Sequence, residues 1–142
     1  MGGLKVKEIM HSITLVEADA AVRQVAVIMR QKNIGSVLVA RKGNIVGILT
    51  ERDILKRVVA EGLDPSRTTA EQIMTRDIIT INAEASVLEA AELFNRYDIR
   101  RLPVEENGRI VGIVTARGVA KSMPLAVVRP TESEKYYQSG IF

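Results

Sequence analysis

An internal repeat constrains this chain more than any other feature. The segment at 43–53, GNIVGILTERD, recurs 65 residues later at 108–118 as GRIVGIVTARG. Seven of the eleven aligned positions are identical, and the flanking pattern stays in phase. In a chain of 142 residues, each unit would be small enough to be marginal alone. We therefore expect two similar units that share one core.

Each copy has the pattern of a β-α-β-β-α unit. In the first copy, apolar side chains recur at helical spacing in one segment, and short apolar runs flank turn residues. The second copy repeats both signals, and Ser86 with Glu89 forms a capping-box pattern there. The predicted elements of the first copy are strand 13–16, helix 21–32, strands 36–40 and 45–49, and helix 51–60. Those of the second are strand 78–81, a helix after Ser86, strands 101–105 and 110–114, and helix 116–123.

The repeat also predicts the domain organisation. Residues 4–61 would form repeat 1 and residues 70–125 repeat 2, and each begins with a short leading segment (4–10 and 70–74). Pro65 marks the stretch 62–69 as a linker. A tail at 126–142, which contains Tyr136-Tyr137, has no counterpart in the first copy.

Composition excludes several classes of site and of location. Cysteine is absent and His11 is the single histidine, so disulfides and cysteine- or histidine-rich metal sites are excluded, and no metal is expected. No apolar run approaches the ~20 residues of a membrane span. The charge of +3 and pI of about 9.4 are diffuse, without a basic run, which makes nucleic acid an unfavoured partner. We expect a cytoplasmic protein.

The repeat resembles the CBS domain family, here as a tandem pair. The resemblance covers roughly residues 4–123 and rests on three segments: IVGILTERD, IVGIVTARG and, at 99–104, IRRLPV. It implies an α/β (α+β) fold in which two β-α-β-β-α repeats pack sheet to sheet with pseudo-twofold symmetry. It also implies two clefts between the copies that take adenosine-containing ligands.

Thr50 and Asp53 have two readings. Thr-x-x-Asp at a helix start is a capping box worth ~1 kcal/mol. The resemblance implies a second role, in which the Asp53 carboxylate accepts hydrogen bonds from a ribose diol. From spacing alone, neither role is favoured over the other, and both can hold together. The second copy keeps Thr115 but has Gly118, which has no acceptor side chain.

The resemblance places the phosphate contacts at Arg100 and Arg101, whose fork of donors suits phosphate. A solvated surface position is the alternative for both. It implies that Ile48, Ile78, Ile79 and Pro103 would wall the adenine, positions that core packing would also explain. Arg117, one residue before Gly118, is a secondary phosphate candidate, and a surface position is equally expected.

The resemblance also implies that the two clefts differ. Asp53 would face the residues 78–79 and 100–101. The opposite cleft would combine Gly118 with Gly35 and Ser36, which offer neither carboxylate nor cation. One working site and one lost site follow as the expectation.

These observations predict a non-enzymatic regulatory protein that binds an adenine nucleotide. AMP is the first choice and ADP or ATP the next, because the arginines favour phosphate over S-adenosylmethionine. The level of the nucleotide would be relayed to an unknown regulated protein. A homodimer is expected through Ile28, Leu88 and Leu93, which flank the apolar helix faces. The alternatives are a nucleic-acid-associated or scaffolding protein, or an S-adenosylmethionine binder.

Overall fold

The structure, a computed structural model, describes residues 3–123. The tail at 126–142, with Tyr136-Tyr137, lies outside the described residues. The first copy contains, in order, α1 (Val6–Ile9), β1 (Leu15–Glu17), α2 (Val22–Lys32), β2 (Ser36–Arg41), β3 (Asn44–Thr50) and α3 (Glu51–Ile54), which continues as a π-helix over Leu55–Val59. The second contains α4 (Ala70–Ile73), β4 (Ile81–Asn82), α5 (Val87–Tyr97), β5 (Arg101–Glu106), β6 (Arg109–Thr115) and α6 (Ala116–Ser122).

Each copy builds a three-stranded sheet with the same connections. The first two strands of each sheet run parallel, and the second and third form an antiparallel hairpin. Both hairpins turn through two residues with positive φ, Lys42-Gly43 and Asn107-Gly108. Such turns match the twist of the flanking strands, which is why glycine stands at both. The predicted α/β fold is confirmed.

The first strand of each copy begins later than predicted. The sequence pattern placed these strands at 13–16 and 78–81, whereas β1 begins at Leu15 and β4 at Ile81. Ile13 and Ile78 instead pack between the two sheets. The backbone around Ile78 turns tightly, since its N–H donates to the Arg76 carbonyl at 3.0 Å.

The two sheets pack face to face. Successive side chains of a strand point to opposite faces, so Val37 and Val39 pack toward the helices while Leu38 points the other way. Leu38 and Ile48 of the first copy meet Ile113 of the second in a buried cluster. The chain therefore has a central sheet-to-sheet layer between two outer cores of helix on sheet.

The leading segments of the two copies are exchanged. Val6 of α1 is fully buried in the core of the second copy, where its N–H donates to the Ala85 carbonyl at 2.8 Å. Ile73 and Met74, in and after α4, belong to the core of the first copy. Single antiparallel bridges, His11 to Ile113 and Ile48 to Thr75, extend each sheet with the other copy's segment. Neither outer core is complete without the other half of the chain.

A surface ion cluster accompanies this exchange. Lys5, just before α1, and Lys7, within it, each contact the Glu84 carboxylate of the second copy at 2.5 Å. Hydrogen bonds from Lys5 and then Lys7 lower the pKa of Glu84 to about 2. All three side chains are about half exposed. The cluster therefore orients α1 on the second copy, while burial of Val6 supplies the stabilisation.

Two glycines make the exchange possible. A side chain on Gly47 would collide with Met74, coming within 2.8 Å of its Cγ and 2.9 Å of the Thr75 carbonyl oxygen. Gly112 stands in the same relation to Met10. These methionines thus lie directly on the glycine backbone of the neighbouring copy. The sequence pattern IVGI is therefore needed for contact between the copies as well as within each sheet.

Gly47→Ala should lower the free energy of unfolding by about 1–3 kcal/mol, because overpacking there meets backbone that cannot move freely. Gly118→Ala is the matched control, since its new Cβ would lie where Asp53 already has a Cβ in the first copy. It should raise stability by about 0.5–1 kcal/mol through its helix propensity. Urea denaturation of both variants measures the difference. A Gly47→Ala protein as stable as the parent would contradict the close contact.

Candidate functional site

A cleft lies between the copies where β3 passes into α3. The residues before β4 and β5 of the second copy form its other side, and the cavity has a volume of about 280 Å³. We call it the first cleft. Eight of the nine predicted site residues line it: Ile48, Thr50, Asp53, Ile78, Ile79, Arg100, Arg101 and Pro103. Six further residues complete the lining: Glu51, Arg52, Thr75, Asp77, Asp98 and Ile99.

Asp53 is the buried carboxylate of the first cleft, with 9% of its surface exposed. One oxygen, Oδ2, accepts from the Thr50 N–H at 2.9 Å and from the Thr50 hydroxyl at 3.2 Å. In return, the Asp53 N–H donates to Thr50 Oγ1 at 3.2 Å, which completes the capping box. The capping role is therefore present. A carboxylate can accept about four hydrogen bonds, so Asp53 retains acceptor capacity.

The second oxygen of Asp53 faces Arg57. Oδ1 lies 3.8 Å from Arg57 Nε, one helical turn further along. The same arginine donates through Nη1 to the carbonyls of Ile73 and Met74, at 3.0 and 3.1 Å. Arg57 thus connects the carboxylate to the segment that leads into the opposite wall of the cleft. Arg57 was not among the predicted site residues, although its place four residues after Asp53 is a recognisable signal.

The helix that carries these side chains is not regular. After Ile54 it widens into a π-helix, Leu55–Val59, whereas α6 of the second copy is α-helical throughout. Short π-helical turns occur frequently at functional sites. The irregular helix belongs to the copy that carries Asp53, so the two copies differ in backbone as well as in side chains.

An apolar wall faces Asp53. Pro103 is fully buried in the centre of β5, and Ile48, Ile78 and Ile79 are buried or half-buried beside the cavity. In the first copy, the Leu38 N–H donates to the Thr14 carbonyl at 2.9 Å. Pro103 stands at the position of Leu38 and has no N–H. The Ile79 carbonyl, the counterpart of Thr14, therefore lacks this partner at the cleft.

The two arginines differ in their surroundings. Arg100 is exposed, and its carbonyl accepts from the Ala116 N–H at 2.9 Å. Arg101 is half-buried, and its Nη2 donates to Glu51 Oε1 at 3.3 Å. Arg100 is thus accessible to an anion in the first cleft, whereas Arg101 is already paired.

Three carboxylates at the first cleft were not among the predicted site residues. Glu51, Asp77 and Asp98 line the cavity together with Asp53, against the three cations Arg52, Arg100 and Arg101. The formal charge of the lining is therefore −1. Asp77 and Asp98 lie in loops whose positions no periodic pattern reveals. The arginines alone, which favoured a phosphorylated ligand, give only part of the electrostatics.

A second cleft of about 220 Å³ lies on the pseudo-symmetric side. Gly35 and Ser36 of the expected set line it, whereas Gly118 lines a neighbouring opening instead. Thr115 also lines the second cleft and caps α6 by accepting from the Gly118 N–H at 2.9 Å. The expectation that this cleft has no cation is wrong. Arg101 lines both cavities, because its guanidinium lies against Gly35, where no side chain intervenes.

Arg117 is the predicted residue that the structure places away from the first cleft. It lines a neighbouring opening of the second cleft together with His11, Gly118 and Lys121. The reason is its place at the start of α6, the helix of the second copy, which faces the first copy's leading segment. Arg52, its counterpart in α3, is the one that lines the first cleft.

Two negative findings apply to residues 3–123. Among them, no group of three or more histidine or acidic side chains is arranged to hold a metal ion. None of the helices described there is long and apolar enough to cross a membrane.

Comparison with known proteins identifies relatives along most of the chain. A family profile described as the CBS domain matches residues 6–60 and again 70–125. An uncharacterized protein of Methanopyrus kandleri is 38% identical over 117 residues, which cover 81% of this chain but only 60% of that protein. Hypoxic response protein 1 of Mycobacterium tuberculosis is 32% identical over 120 residues, 83% of this chain and 84% of that protein.

Solved structures have the same fold. An uncharacterized conserved protein from Pyrococcus horikoshii superimposes with a TM-score of 0.78 at 31% identity, covering 90% of this chain and 95% of that one. Hypoxic response protein 1, crystallised with two coordinated zinc ions, gives 0.73 at 32% identity over 85% and 100%. A hexameric CBS-CP12 protein from bloom-forming cyanobacteria gives 0.80 at 26% identity over 91% and 77%.

These matches agree with the exchanged, pseudo-symmetric pair of units described above. Pairs of this kind are generally regulatory modules without catalytic activity. With two matched copies that cover most of its length, the chain belongs to the CBS domain family.

Proposed function

We propose that the chain is a non-enzymatic regulatory module that binds one adenine nucleotide, AMP foremost, in the first cleft. The observation that supports this most is the buried Asp53 carboxylate, which stands opposite an apolar wall and near the exposed Arg100. Its Oδ2 already accepts from Thr50, whereas Oδ1 lies 3.8 Å from Arg57 and can accept hydrogen bonds from further donors. A ribose diol supplies two such donors.

Each part of a nucleotide has a matching surface. The flat adenine fits between the isoleucines of the cleft and Pro103, where it would bury apolar area. Its exocyclic amine can donate to the Ile79 carbonyl, which Pro103 leaves without a strand partner. The ribose would reach Asp53 Oδ1, because Oδ2 already accepts from Thr50. Phosphate would meet Arg100.

Charge favours AMP over nucleotides with more phosphates. The cleft lining carries four carboxylates and three guanidinium groups, so each added phosphate increases repulsion while the number of cations stays the same. The same carboxylates support S-adenosylmethionine, which is cationic, as the second candidate. A comparison of adenosine, AMP, ATP and S-adenosylmethionine by calorimetry separates these ligands.

Regulation requires that the nucleotide bind two states of the module or its complex unequally, typically by ~1–3 kcal/mol. Arg57 and the π-helical turn offer a physical route for such a difference. A ligand that draws Asp53 Oδ1 away from Arg57 would also disturb the bonds of Arg57 to the Ile73 and Met74 carbonyls. The regulated protein would respond to that change on the outer face of α3.

Asp53→Asn should weaken AMP binding by at least about tenfold, because a charged acceptor is replaced by a neutral one. The amide oxygen of asparagine can still accept from the Thr50 N–H in the capping box, so the fold should persist. Asp19→Asn, an exposed position in the turn before α2, is the matched control. Calorimetry measures both variants, with circular dichroism to check the fold. Undiminished affinity in Asp53→Asn would remove the ribose role of this carboxylate.

We also propose a homodimer, although the surface differs from the predicted one. Of the three predicted residues, Ile28 and Leu93 are half-buried against the helix-side cores, whereas Leu88 is 65% exposed. Leu55 and Val59 are 60% and 64% exposed, about one turn apart on the π-helix. Two neighbouring apolar side chains that are mostly exposed favour contact with a second copy.

Light scattering at micromolar concentration should give the mass of a dimer. The double change Leu55→Lys and Val59→Lys should shift it to the monomer, because two charges would then enter the apolar contact. Gln24→Lys with Gln31→Lys, at exposed positions of α2, controls for the two added positive charges. A parent protein that is monomeric, or a dimer that survives the Leu55 and Val59 changes, would contradict this surface.

A further inference from the structure

We propose that Glu51 determines the phosphate selectivity of the first cleft by competing with the ligand for Arg101. This inference rests on the proposed nucleotide site and adds a residue that the family resemblance did not point to. Glu51 is the first residue of α3 and lies directly between Thr50 and the remaining helix. It lines the cleft without contributing to the cap.

The ion pair joins the two copies. Nη2 of Arg101, at the start of β5, lies 3.3 Å from Glu51 Oε1, at the start of α3. The Arg101 side chain is 22% exposed and that of Glu51 69%. The cation is thus held at the boundary between the copies, while the carboxylate that neutralises it remains in contact with solvent and can be replaced by another anion.

Gly35 forms the third side of this arrangement. A Cβ at that position would come within 2.8 Å of Arg101 Cζ and 3.2 Å of Glu51 Oε1. The glycine therefore gives the ion pair its space. In the second copy, the position equivalent to Gly35 is Arg100, which is exposed to solvent. In the absence of ligand, Arg101 therefore lies against Gly35 and is paired with Glu51.

A phosphate in the first cleft has to compete with Glu51 for the Arg101 guanidinium. Arg101 can serve the ligand only by giving up or sharing its bond to Glu51. The remaining carboxylate then stands close to the phosphate, as a like charge that repels it. The penalty grows with the number of ligand phosphates and is absent for adenosine. In the second copy, Ala116 occupies the position of Glu51, so this competition belongs to the first cleft alone.

Glu51→Gln tests the inference by calorimetry with adenosine, AMP and ATP. AMP affinity should rise about three- to fivefold, the scale of an exposed ion pair. ATP affinity should rise by a larger factor, and adenosine affinity should stay within about twofold. Glu92→Gln, an exposed carboxylate of α5 outside the cleft lining, is the matched control and should change none of the three.

The same change made in an Arg101→Gln protein separates competition for Arg101 from general repulsion between Glu51 and phosphate. In Arg101→Gln, the additional Glu51→Gln change should have a much smaller effect on AMP, because the shared cation is gone. Equal effects in both backgrounds would overturn competition for Arg101. An adenosine response as large as that of AMP, or no change in any affinity, would overturn it as well. A parent protein that binds neither adenosine nor AMP would instead remove the proposed function itself.

Discussion

The contact between the two sheets determines everything else in this protein. Leu38 and Ile48 of one copy meet Ile113 of the other in a buried layer, and the exchanged leading segments close that layer over Gly47 and Gly112. Because the sheets pack face to face, the ends of β3 and β6 come to lie opposite the starts of β5 and β2. The two clefts are the spaces left at these ends. Any ligand there necessarily contacts both copies, which is the geometric basis for a regulatory role.

The copies share a backbone plan and differ where chemistry is possible. Asp53 completes the capping box of α3 through Oδ2 and has Oδ1 beside Arg57, while Gly118 leaves capping to Thr115 alone. Pro103 removes a strand bond that Leu38 makes in the first copy. Each difference provides a hydrogen-bond acceptor at the first cleft, the Asp53 carboxylate in one case and the Ile79 carbonyl in the other. Arg101 modifies this picture, since it reaches both clefts and is held by Glu51.

Much of the fold could be predicted from the sequence because its signals are local. The two-residue turns with glycine specify the hairpins, and the apolar spacing of α2 and α5 specifies their buried faces. The repeat predicted the sheet pairing through the family it resembles. Exchange of α1 and α4 could not be predicted, because short amphipathic segments pack equally well on either of two similar sheets. Contacts between the copies, such as that of Met74 with Gly47, distinguish the two arrangements.

The site was predictable where it depends on helix-start chemistry and not where it depends on loops. Thr50 and Asp53 follow from their spacing. Asp77 and Asp98 line the same cavity but lie in segments without periodicity. The pairing of Arg101 with Glu51 is a contact between residues 50 positions apart, which no single-copy pattern contains. Charges brought together by the fold therefore revise a ligand hypothesis that was built from arginines alone.

The central claim is that one nucleotide occupies the first cleft. Amide resonances of the labelled protein, followed during addition of AMP, test it most directly. We predict saturable shifts at Thr50, Asp53, Ile79 and Arg100, with a single binding isotherm and little change at Thr14, Ser36 and Thr115. Shifts centred on the latter three residues, or no saturable shifts at millimolar AMP, would contradict it.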